Sequence, residues 1–279
     1  MKNRPSIIVI LSALVLIAVV AIALLGNVFT SHAVTSQDLL NRLKPPAFLG
    51  GPEQYPLGTD RIGRDMVARL VAGLQMSLSV ALAGTLIGAV FGTIIGFLAA
   101  HFRGWIEESL MMVVDFQASL PFILIALTLL AFFGNSMVLF VILMGLFGWE
   151  TYARLARGVV LSAASQPYAR AIVVLGAHPL QLYMKHILPN VAAALIVQVT
   201  LTFPQIILLE TSLSFLGLGI QPPNTSLGQI LGDGRDYLST AWWISVWPGV
   251  LIFLITLSMS ILGDALRDRM DPMLKARKA

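Results

Sequence analysis

An all-α, polytopic membrane protein with six transmembrane helices is the fold class this sequence predicts, and three observations predict it. Of its 279 residues, 57% are hydrophobic and 11% charged, far more apolar than an average soluble domain. Six apolar stretches, at residues 7–26, 78–100, 110–133, 136–153, 191–217 and 242–263, each approach the ~20 residues a helix needs to cross hydrocarbon. The basic residues are also unevenly placed: with the N-terminus inside, 12 of the 18 Lys and Arg fall in inner segments and 6 in outer ones. That bias puts both termini in the cytoplasm.

The first stretch carries no charge, and 14 of its 20 residues are Ile, Val or Leu. At roughly −0.3 to −0.6 kcal/mol each they favour insertion by about 6 kcal/mol, so residues 7–26 are read as a membrane anchor. A cleaved signal peptide is the rival reading, since Lys2 and Arg4 precede the run and SHA at 31–33 resembles a cleavage site, but the run is too long for one. In the second stretch Gly84, Gly88, Gly92 and Gly96 recur every four residues and make a small-residue groove along one helix face. The groove packs either another helix of this chain or a neighbouring subunit. Pro121 interrupts the third stretch and Pro204 the fifth, each freeing a backbone carbonyl and kinking its helix. The fourth follows a tight turn at Gly134 and Asn135, is uncharged only over 136–149, and borrows residues 150–153 to reach spanning length.

Within the spans, away from their ends, only Asp115 and Glu210 are ionisable. An ion-coupled carrier would carry more such groups along its route. For these two, a structural hydrogen bond or an interfacial pair stands beside a substrate-contact role. Catalytic chemistry has no foothold either. There is no cysteine, the histidines at 32, 101, 178 and 186 form no ligand spacing, and no G-x-S-x-G elbow occurs. None of the five lysines follows a glycine, so a phosphate-cradling loop is absent. No catalytic, metal or cofactor residue is expected, and nucleic acid is not an expected partner. Uphill transport would draw its energy from another subunit.

That subunit needs a docking surface, and residues 150–190 are long for a helix connection, where about two to eight residues are usual. Residues 168–175 have helical composition, Gly176 offers a stop, and Pro179 suits the first turn of a second short helix ending before Pro189. Such an element can insert into a groove on a soluble partner.

This segment, GAHPLQLYMKHILPN with Ala171 upstream, resembles the EAA loop of permease subunits of binding-protein-dependent ABC importers. LGTDRIGRD at 57–65, LSFLGLGIQPP at 213–223 and GDALRDRMDP at 263–272 are similar to signatures of the dipeptide, oligopeptide and nickel group, in its second permease. The resemblance implies a type I ABC importer permease fold in the inner (plasma) membrane. It also implies three kinds of partner: a homologous permease, two ATPase subunits and an extracytoplasmic solute-binding protein. Arg170, Ala171, Gly176, Ile187, Leu188 and Pro189 would form the ATPase coupling loop, although Arg170 stands where the motif has its glutamate. Gly58, Thr59, Asp60, Gly63, Arg64, Asp65, Phe215, Gly217, Gly219, Pro222 and Pro223 would be outer-face residues. They either contact the binding protein or partner permease, or staple their own loops.

The expected organisation is an N-terminal anchor at 1–29, an extracytoplasmic segment at 30–77, a permease domain at 78–263 containing the 150–190 loop, and a cytoplasmic tail at 264–279. The expected function is half of an ATP-driven translocation pathway, most simply for peptides. The alternative is an autonomous channel or secondary carrier.

Overall fold

The structure, a computed structural model, describes residues 6–30 and 33–270, without the side chains of Asn27, Phe29, Arg170 and Val173. Eleven α-helices run through the described residues: α1 (Ile7–Phe29), α2 (Met66–Phe102), α3 (Gly104–Ser119), α4 (Phe122–Phe133), α5 (Met137–Gly145), α6 (Trp149–Ala164), α7 (Pro167–Val174), α8 (Pro179–Gln181), α9 (Leu188–Phe215), α10 (Leu227–Gly234) and α11 (Trp243–Met270). Five helical segments are long and apolar enough to span a membrane, or six if the bent α3–α4 pair is one crossing.

α2 is the spine. It packs along α5, α6, α9 and α10, and α1 lies against α2 and α11. The glycine stripe explains the tightest of these contacts. A Cβ on Gly84 would lie 2.8 Å from the Met144 Cβ, one on Gly88 2.9 Å from the Gly145 carbonyl, and those on Gly92 and Gly96 would run into the carbonyls of Trp149 and Ala153. The four glycines therefore face α5 and α6 of the same chain, backbone against backbone.

Several expected boundaries move. α2 begins at Met66, inside the segment read as extracytoplasmic over 30–77, because the Asp65 carboxylate accepts from the Val67 N–H and caps the helix there. The 110–133 stretch is two helices bent by 86°, a broken span or a re-entrant loop. Leu120, held extended at φ −97° and ψ 137° by the proline that follows, makes the break. Residues 150–164 belong to α6 rather than to a loop. Tyr152, Ala153, Ala156 and Val160 make a buried stripe, while Arg157 Nε donates to Glu107 at 2.5 Å and Arg154 pairs with Asp115 at 3.2 Å, both on α3. The connection is thereby shortened to about the 165–190 region. Finally, Pro189 does not end a short helix. A π-helical turn at Leu182–Ile187 joins α8 to α9, and the wider turn accommodates Pro189, which lacks an N–H to donate. α11 likewise runs on to Met270, past the tail boundary expected at 264, and the rest of that tail lies outside the described residues.

Candidate functional site

Two regions hold the residues singled out from the sequence, one at each end of the bundle.

At the α2 N-terminus, Gly58 and Gly63 adopt φ of +85° and +78°, turning the chain so that Thr59 pairs with Asp65 across an isolated bridge. The Thr59 hydroxyl donates to the Asn41 carbonyl at 2.5 Å and accepts from the Lys44 N–H at 2.9 Å, and its carbonyl accepts from the Trp243 indole at 3.0 Å. Asp60 is fully buried. One of its oxygens accepts from the Ile62 and Arg64 N–H groups at 2.9 and 2.8 Å; the other accepts from the side chains of Arg64 at 2.6 Å and Arg69 at 2.8 Å. Arg69, also buried, reaches on to Asp233 at the far end of α10, again at 2.8 Å. One ionic cluster thus ties the 58–65 turn to α2 and α10. Asn41 also donates to Asp38 at 2.7 Å and holds its carboxyl below the usual range, and burial pushes the Tyr55 phenol up. Thr59, Asp60 and Asp65 are enclosed; of the charged residues in this turn only Arg61 is well exposed.

The LSFLGLGIQPP segment completes this end. Gly217, at φ +81°, terminates α9, with the Leu218 N–H donating to the Leu213 carbonyl and the Gly217 N–H to the Ser214 carbonyl. Gly219 is buried against Ser214, and Asn135 donates to its carbonyl. Phe215 is half-buried beneath the Arg235 guanidinium, while Pro222 and Pro223 are exposed and joined by a cis peptide bond. Glu210 is fully buried one turn earlier. It accepts from Ser77 on α2 at 3.0 Å and Ser214 at 2.7 Å, and the Ser77 oxygen also accepts from the Leu227 N–H at the start of α10.

At the other end, α7 and α8 form the expected helix, turn, helix. Gly176 sits at φ +79° with the Ala177 N–H donating to the Ile172 carbonyl, and the His178 ring caps α8 by accepting from the Leu180 N–H. Ala169, Leu182 and Ile187 are buried together with Ala100, Val160 and Val191, clamping the element to α2, α6 and α9. Ala171, Gly176 and Pro189 are exposed and Leu188 is half-buried; the backbone of Arg170 lies in α7, but its side chain is outside the described set. Of the six expected contact residues, Ile187 is thus an anchor. The protruding tip is made by Val174 at 86% exposure, Leu175 at 85% and Leu180 at 63%. Reading the segment by its motif alone passed over these three. Val174 and Leu175, apolar and last before the Gly176 stop, carry the signal.

A helical bundle of five or six apolar crossings, with a clamped helical tip bared at one end, defines a membrane-embedded subunit. Residues 92–276 match the family described as binding-protein-dependent transport system inner membrane component, and the chain belongs to that family. It is a permease subunit of an ATP-driven importer. Among curated relatives, the chain is 37% identical over 260 residues to the dipeptide transport system permease protein DppC of Escherichia coli, covering 93% of this chain and 87% of that one. It is 36% identical over 234 residues to the di/tripeptide transport system permease protein DppC of Pseudomonas aeruginosa, covering 84% and 77%. It is 33% identical over 274 residues to the oligopeptide transport system permease protein OppC of Mycobacterium tuberculosis, covering 98% and 91%. A solved structure of the MetNI methionine ABC transporter, inward facing, shares the fold: TM-score 0.59 at 20% identity, over 74% of this chain and 98% of that one.

Proposed function

We propose that this chain forms half of the translocation pathway of a di- or oligopeptide importer, with α7 and α8 as the element received by an ATPase subunit. The observation that carries the coupling role is the tip at Val174, Leu175 and Leu180. Three large apolar side chains project from a turn whose base is clamped by Ala169, Leu182 and Ile187, a form suited to a groove on a soluble protein. In this reading the tip faces the cytoplasm with both termini, and the 58–65 and 216–241 segments face outward. There they stand beside a solute-binding protein and a homologous permease. ATP-driven closure of two ATPase subunits displaces the tip, and the difference in its contacts between the two ATPase states biases the pathway between inward and outward access. The names of the curated relatives support a peptide cargo.

The test is reconstitution. Uptake of a labelled dipeptide into proteoliposomes should require this chain, a second permease, ATPase subunits, ATP and a cognate binding protein together. Uptake by this chain alone would overturn the reading.

A further inference from the structure

α9 and α11 enclose an open groove of about 520 Å3, lined among others by Gln205, Leu208, Phe253, Thr256, Ser260 and Asp264. It is separate from the surface against α1, which Phe203 and Met259 line. Gln205 lies about 15 Å along α9 from its end at Phe215, near the middle of a helix about 42 Å long. It is exposed, and its amide has no hydrogen-bond partner among the described residues. Thr256 and Ser260 continue the polar line down α11, and exposed Asp264, without an ion pair among the described residues, closes it about 31 Å from Trp243.

The Thr256 hydroxyl is satisfied by the Ile252 carbonyl at 2.8 Å, but hydrocarbon offers the Gln205 amide and the Asp264 carboxylate neither donor nor acceptor, and ionisable side chains at membrane depth face a bundle interior or a water-filled cavity. The exposed face of α2 makes the contrast, running Leu82, Leu86, Val90 and Ile94. A protein neighbour filling the groove would have to bring a cation to the Asp264 carboxylate or bury it unpaired.

We propose that Gln205, Thr256, Ser260 and Asp264 form this chain's wall of the cargo route, with Gln205 at its middle and Asp264 at the mouth on the α7–α8 side. The proposal rests on the importer reading above and deepens it. An amide carries two donors and an acceptor and so complements the peptide bonds of a passing cargo; a carboxylate complements its terminal ammonium.

The chain has no cysteine, so single substitutions report cleanly. In the assembled importer, Gln205→Cys and Ser260→Cys should react with a charged methanethiosulfonate at least about tenfold faster than Val90→Cys, at rates that change between the nucleotide-free and ATP-bound complex. Reaction no faster than that of Val90→Cys, reaction only with a lipid-soluble maleimide, or cross-linking to the partner permease without labelling would each overturn the route. Gln205→Leu should lower alanylalanine uptake about tenfold while binding-protein-stimulated ATP hydrolysis persists, and unchanged uptake would remove Gln205 from the wall. Uptake by the unsubstituted complex, measured in parallel, separates the outcomes. Its absence defeats the importer reading, whereas uptake with unreactive cysteines defeats the route alone.

Discussion

Arg69 and Asp60 meet at 2.8 Å with only 1% of either side chain exposed. Arg69 reads in the sequence as an outer-loop cation that helps to set orientation, yet in the fold it is an internal tie, shared with Asp233. Each ion keeps a second partner, Arg64 for Asp60 and Asp233 for Arg69, so removing a single member leaves a buried ion only partly matched.

Arg69→Met or Asp60→Asn should therefore destabilise the chain, by less than the ~3–5 kcal/mol of a buried pair broken outright. The double variant should recover part of that loss. Thermal unfolding in detergent measures both, and a double variant as unstable as the sum of the singles would deny the coupling.

The glycine stripe makes a graded prediction. Gly92→Ala, whose methyl would meet the Trp149 carbonyl and Tyr152, should cost about 1–3 kcal/mol, and Gly92→Leu should abolish the folded chain. Gly158→Ala, in α6 with open space around it, should instead stabilise by about 0.5–1 kcal/mol. Folded yield by size exclusion ranks the three.

Glu210 holds α2, α9 and the start of α10 together through hydroxyl groups. Glu210→Gln keeps one acceptor and should be tolerated better than Glu210→Ala, which strands Ser77 and Ser214 at about 1–3 kcal/mol for each unpaired group. Protease cleavage within 216–234 should accelerate in the alanine variant, and equal cleavage in the two would count against the latch.

Charging the tip tests coupling without touching the core. Leu175→Asp, at 85% exposure, should leave stability within about 0.5 kcal/mol. It should nonetheless abolish co-purification with the ATPase subunits or the stimulation of ATP hydrolysis by binding protein. Retention of both would move the contact elsewhere.

The five or six crossings are legible because apolar length is a local property, and the helix stop at Gly176 is legible because a positive φ there suits glycine. What escaped depended on partners distant in the chain. Asp233 lies 164 residues from Arg69, so nothing near Arg69 announces that it is buried, and α2 starts at Met66, well before the apolar stretch that begins at 78. Arg154 and Arg157 made α6 look like a solvated loop, because the carboxylates of Asp115 and Glu107 that meet them belong to α3. Pro121 and Pro189 are alike in sequence and opposite in effect. At Pro121 the preceding residue is held extended and the helix breaks. At Pro189 a wider turn takes up the missing bond and the helix continues. The candidate tip was visible as a segment but not by residue, since telling Ile187 from Leu175 requires knowing which face α6 covers.

Because the wide turn at Leu182–Ile187 fuses α8 to α9, residues 179–215 form a single strut about 55 Å long, with no hinge loop in which a push could be dissipated. In the proposed importer, a shove delivered beside Leu180 would be handed along this strut, past Gln205, to the hydroxyl clasp around Glu210 at the opposite end of the molecule.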